Sequence, residues 1–172
     1  ADPADPARRR ALAELNLLAA DEGAPLAPAS AASVAGSLLD DLSIRVRAGA
    51  FAQAAVRSAQ AVGELRWRGL AAAIERFRGR KARAAADLDD LPVATGIARA
   101  HEELALLTAS LDKCLWRSIA LAHHLLDRGQ RPQLVLGVHL RPFKAHCWVQ
   151  LGDAVANDRV ETIRTFTPIL VV

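Results

Sequence analysis

Three side chains of this sequence could together perform nucleophilic chemistry: Cys114, His146 and Asp158. Cys114 opens an apolar periodic run, and a cysteine just inside a helix N-terminus gains from unsatisfied N–H groups that favour thiolate over thiol. Taken alone it could equally be a small buried hydrophobe. His146 lies in Ala-His-Cys-Trp-Val-Gln-Leu, which alternates as a half-buried strand. His146, Trp148 and Gln150 face one way; Ala145, Cys147, Val149 and Leu151 face the other, so Cys147 belongs to the core. A histidine satisfied within a sheet is the alternative for His146. Asp158, in Asn157-Asp158-Arg159, would stand at the start of the next strand and orient an imidazole from its Nδ1. An ordinary hairpin turn would also place Asn-Asp there. A cysteine on a helix start, a histidine on a strand and an acid beside it are the parts of a thiol protease or transglutaminase.

The elements that must position these residues follow from periodicity and punctuation. Helical spacing of Phe51, Ala55, Val62 and Leu65 predicts a helix over 50–66. Leu70, Ile74 and Phe77 predict a second over 67–83, and Ile97, His101, Leu104 and Leu107 a third over 93–110. Asp112 is placed to cap a fourth from Lys113 to Arg128, ended by Gly129. Runs 133–140 and 145–151 and a last one ending at Val172 are rich in β-branched residues and read as a meandering antiparallel sheet. The fold class is α+β, with a helical N-terminal half packed on a small antiparallel sheet. Residues 1–42 read as an N-terminal segment, a short helix over 11–20 and then an Ala/Pro/Ser linker, and residues 43–172 as the folded domain.

The chain has 172 residues, of which 52% are apolar and 24% charged, enough to bury a core and too ordered in pattern for global disorder. No apolar run approaches the roughly 20 residues of a membrane span, and no secretory signal is legible, so a cytoplasmic protein is expected. Two cysteines make no disulfide framework. Net charge is +3, but residues 45–83 hold ten basic side chains against Glu64 and Glu75, and residues 87–112 are acidic.

The quoted residues meet a family. Cys114-Leu-Trp-Arg-Ser-Ile-Ala-Leu, Leu125-Leu-Asp-Arg-Gly, Leu136-Gly-Val, Pro142-Phe-Lys-Ala-His-Cys-Trp-Val, Asn157-Asp158 and Phe166-Thr-Pro-Ile-Leu together resemble the C-terminal domain of lasso peptide biosynthesis B proteins. These are transglutaminase-like bacterial cysteine peptidases that cut the leader from a ribosomally made lasso precursor peptide. The resemblance is close over 111–172 and looser from Ser43. The separations of 32 residues from Cys114 to His146 and 12 from His146 to Asp158 resemble the family's triad spacing. The resemblance implies a papain-like core, with Cys114 as nucleophile, His146 as general base and acid, and Asp158 as the orienting carboxylate. It places the Cys114 backbone N–H in the oxyanion hole and names no second donor, since Thr108 stands where papain-like enzymes carry a glutamine. Ser118, Arg117 and Trp148 are candidates to back the triad. The implied partners are the leader of the precursor, a winged-helix leader-recognition domain and an ATP-dependent macrolactam cyclase. The segment 11–23 reads as the tail of such a recognition domain. No cofactor is implied.

Other classes fit less well. Cys114, His123, His124, His146 and Cys147 form no Cys-x₂-Cys or His-x₃-His pair, and neighbouring His123 and His124 would point about 100° apart on a helix, against a zinc site. No phosphate loop is present. The arginine-rich helices suggest a non-catalytic peptide- or nucleic-acid-binding module, but aromatics are only 4% and the following acids can neutralise the arginines in cis, so neither nucleic acid nor membrane is expected as partner. An acyltransferase or transglutaminase would use the same triad with an amine as acceptor.

Overall fold

The computed structural model describes residues 29–84, 90–108 and 113–172. The 11–20 helix and Asp112 lie outside these residues, and the cap position of the fourth helix expected is held by Lys113, so that helix starts at Cys114. The chain runs β1 (Gly36–Ser37), a 3-10 turn (Leu38–Asp40), α1 (Ala48–Arg83), α2 (Leu91–Leu107), α3 (Cys114–Asp127), β2 (Gln133–Leu140), β3 (Phe143–Leu151), β4 (Ala154–Val155), α4 (Val160–Ile163) and β5 (Thr167–Val171). No described helix is long and apolar enough to cross a membrane.

Helix α3 is the centre. Its residues 118 to 126 are all buried, which is how a helix apolar on every side must sit. It ends as Gly129 predicts. Gly129 takes φ 75°, its N–H donates to Leu126 O, and Gln130 N–H donates to Leu125 O, the paired bonds of a Schellman cap. The two helices expected over 50–83 are both present as the two halves of α1 and meet at Gly69, whose non-helical φ of 77° and ψ of 176° suit glycine. Its first half buries Ala54, Ser58 and Ala61 and leaves Val62 exposed. Small side chains on that stripe allow α3 to approach closely, and this outweighs the apolarity of Val62. Helix α2 starts at Leu91, directly after Asp90, which caps it by accepting from Val93 N–H, with Pro92 in the first turn. It buries Ile97 and His101 as its period predicts, but Leu107, its last residue, is exposed.

The sheet order is β1-β4-β3-β2-β5. β2, β3 and β4 meander, but β5 crosses back to pair antiparallel with β2, and β1 joins β4 in parallel. The simple meander is therefore corrected at both edges. β3 alternates as expected: Cys147, Val149 and Leu151 enter the core shared with the helices, and Trp148 packs with Val135, Val155 and Ile163 on the other face. Residues 36–40 are part of this fold. Leu38 and Leu39 are buried in the helical core, and Gln150 Nε2 donates to Ala32 O, 3.0 Å away.

Among the described residues, the arginines of α1 are neutralised in part. Arg57 and Arg80 both reach Asp127 at the end of α3, Arg76 reaches Glu64 and Arg78 reaches Glu75.

Candidate active site

Cys114 is the first residue of α3. Lys113 precedes it as a cap without a side-chain bond, so no side chain at the cap position competes for the helix's first N–H groups. The thiol is half-buried and hydrogen-bonded to His146. That bond holds its pKa below the ordinary thiol value despite burial, aided by the backbone N–H of Cys147 and by its own. Cys147, by contrast, is buried in the core and its thiol is pushed up to about 12. Two cysteines of one chain are thus set to opposite chemistries by place alone.

His146 hydrogen-bonds Asp158 through Nε2, 2.5 Å from Oδ2. The nitrogen left for the thiol is Nδ1. The expectation that Asp158 would hold Nδ1 is corrected, because β3 carries the ring between α3 and the Asp158 loop with its distal nitrogen toward the loop. Burial opposes charge on the ring, but the bonds to Asp158 and Cys114 outweigh it and raise its pKa to about 9. Burial likewise opposes the Asp158 carboxylate. The His146 bond and the Arg159 N–H, 2.7 Å from Oδ1, still keep it below the usual range. Asp158 sits just past β4, in the turn before α4, instead of beginning a strand. The resting arrangement these shifts favour is a thiolate–imidazolium pair backed by a carboxylate.

Two rings flank the imidazole. Trp148 stacks on it at 6.0 Å between centroids and Phe166 lies at 5.1 Å. The indole is fixed by its own N–H, which donates to Gln150 Oε1 at 2.9 Å. Of the other candidates, Arg117 pairs with Glu102 of α2 at 2.9 Å, tying the nucleophile helix to its neighbour. Ser118 is fully buried; its hydroxyl donates to Cys147 O and accepts from Asn157, both at 2.8 Å. Sequence reasoning passed over Asn157 and Phe166. Both stand inside the quoted motifs, but nothing local marks them as touching the site.

A cleft of about 620 Å³ lies elsewhere, between the N-termini of α1 and α2, lined by Ile44, Val46, Pro92, Val93 and three arginines. None of the three site residues borders it. Among the described residues no group of three or more His, Cys, Asp or Glu side chains could hold a metal ion.

Residues 55–171, most of the chain, match the family model described as transglutaminase-like superfamily. The chain belongs to that superfamily. Over 45 residues the chain is 44% identical to the microcin J25-processing protein McjB of Escherichia coli, a match covering 26% of this chain and 22% of that protein. No solved structure matches this transglutaminase-like chain.

Proposed function

We propose that the chain is a cysteine peptidase that removes the leader from a lasso precursor peptide, using Cys114, His146 and Asp158. The observation that carries this reading is the place of His146 between the Cys114 thiol, whose pKa it lowers, and the Asp158 carboxylate, 2.5 Å from its Nε2. The processing role in the name of the McjB relative supports it, as does the motif set of the lasso peptide B proteins.

In this reading the Cys114 thiolate attacks the carbonyl carbon of the leader–core bond. The N–H of Cys114, at the positive end of α3, donates to the developing oxyanion. The His146 imidazolium gives its Nδ1 proton to the departing core amine as the C–N bond breaks, leaving the leader as a thioester. Neutral His146 then takes a proton from water, which attacks the thioester and frees the leader acid and the thiolate. Asp158 holds the ring so that Nδ1 faces the sulfur throughout. The precursor, a leader-recognition domain of winged-helix type and an ATP-dependent macrolactam cyclase are its working partners.

Mass spectrometry of a cognate precursor incubated with this chain, with and without a separate recognition domain, tests the reading. Cleavage at one bond, abolished by Cys114→Ala, is expected. An intact precursor in the presence of the recognition domain would overturn it.

A further inference from the structure

The three residues assigned to the triad stand on three different elements: the start of α3, the middle of β3 and the turn after β4. A second set of bonds joins the same three elements beneath the site. Asn157 Oδ1 accepts from Val149 N–H at 2.8 Å, which orients the amide and directs Nδ2 at Ser118. An NH₂ group cannot accept, so the Ser118 hydroxyl must send its own proton onward, and it does so to Cys147 O. Ser118 lies one turn beyond Cys114 on α3, Cys147 is next to His146, and Asn157 is next to Asp158. Each anchor is therefore a covalent neighbour, or one helical turn, from a different member of the triad.

We infer that Ser118 and Asn157 are positioning residues, forming a buried clamp that sets the distance and angle between the Cys114 thiol, the His146 ring and the Asp158 carboxylate. The inference rests on the peptidase reading and deepens it. The chemistry is that of a fixed polar relay: neither Ser118 nor Asn157 has a buried side-chain atom without a partner, and buried networks of that kind hold one geometry because a slip leaves a polar group unpaired. No apolar side chain at 118 or 157 could do this, since the backbone groups at Cys147 O and Val149 N would lose partners.

The test needs no substrate. The rate of Cys114 alkylation by iodoacetamide is followed against pH in the wild type, Ser118→Ala, Asn157→Ala and the double variant, alongside thermal melts. Cys147 is buried with its thiol protonated, so Cys114 dominates the signal. The clamp predicts that each variant folds and that the alkylation midpoint moves up toward that of a free thiol. The double variant should shift no further than the worse single one, because either change opens the same relay. Where precursor cleavage can be measured, kcat should fall by up to about 100-fold with KM little changed, as for a misplaced reacting group. A folded Ser118→Ala protein with the wild-type midpoint would overturn the clamp while leaving the peptidase reading intact. Loss of cooperative melting in Ser118→Ala would also overturn it, by making the network a requirement of the fold. A wild type whose Cys114 alkylates like an ordinary thiol would end both.

Discussion

Gly137 lies so close beneath Trp148 that a β-carbon there would fall 2.7 Å from Cζ3 of the indole. The same atom would stand 3.1 Å from Cβ of Phe166. Gly137 is also the cross-strand partner of His146. One missing side chain on β2 thus lets both rings that flank the imidazole close over the strand.

Gly137→Ala should therefore act on the site and on the fold together. Overpacking at a filled position costs about 1–3 kcal/mol. Denaturant unfolding should show a lowered midpoint with an unchanged slope. Cys114 alkylation at neutral pH should slow as the ring is displaced. An unchanged midpoint would mean that Trp148 moves aside freely.

The pH profile follows from the shifts. Cys114 is held below its ordinary value, and His146 is raised to about 9. The thiolate–imidazolium pair exists between these limits, so kcat/KM for peptide cleavage should fall on an alkaline limb near pH 9 as His146 loses the proton the leaving amine needs. Asp158→Asn removes the carboxylate that raises the ring. Its alkaline limb should move to lower pH, with a rate loss of up to about 10⁴-fold. A limb that stays near pH 9 in this variant would show that Asp158 does not act through His146.

Three other histidines carry a prediction about stability. His101 is held down to about 3, and His123 and His124 to about 4, in each case first by burial. Gln53 Oε1 can only accept, so His124 Nε2–H donates to it at 3.0 Å and His124 Nδ1 accepts from His101 Nε2–H at 3.2 Å, which requires the His124 ring neutral. The unfolded chain binds these protons near the ordinary value of 6.5, the folded one only at 3 to 4. The stability these three histidines contribute is then full above about pH 6.5 and is lost as pH falls toward 4. Urea unfolding at successive pH values should show this decline, and His124→Gln should flatten it. A stability independent of pH between 7 and 4 would contradict the neutral chain.

How much of this was legible in the sequence depended on the range of the forces involved. The faces of β3 and the end of α3 at Gly129 are local, set by alternation and by one residue's backbone freedom, and the structure carries both. The buried stripe of α1 is not legible in the periodicity, because Ala54, Ser58 and Ala61 look weaker than Val62 until the neighbouring helix is known. The pairing of β5 with β2 and the entry of residues 36–40 into the fold are long-range choices that no periodicity records. The three site residues could be named by type and order, but not the ring nitrogen each neighbour takes. That depends on where β3 holds the imidazole between two other elements, and so does the role of Asn157.

The most direct test of the central claim is a single-turnover reaction with precursor peptide and recognition domain, quenched in acid and analysed by mass spectrometry of the Cys114 peptide. The account predicts a transient adduct on Cys114 with the mass of the leader less one water, absent in Cys114→Ala and rising before free leader appears. Cleavage that proceeds in Cys114→Ala, or an adduct carried by another residue, would contradict it.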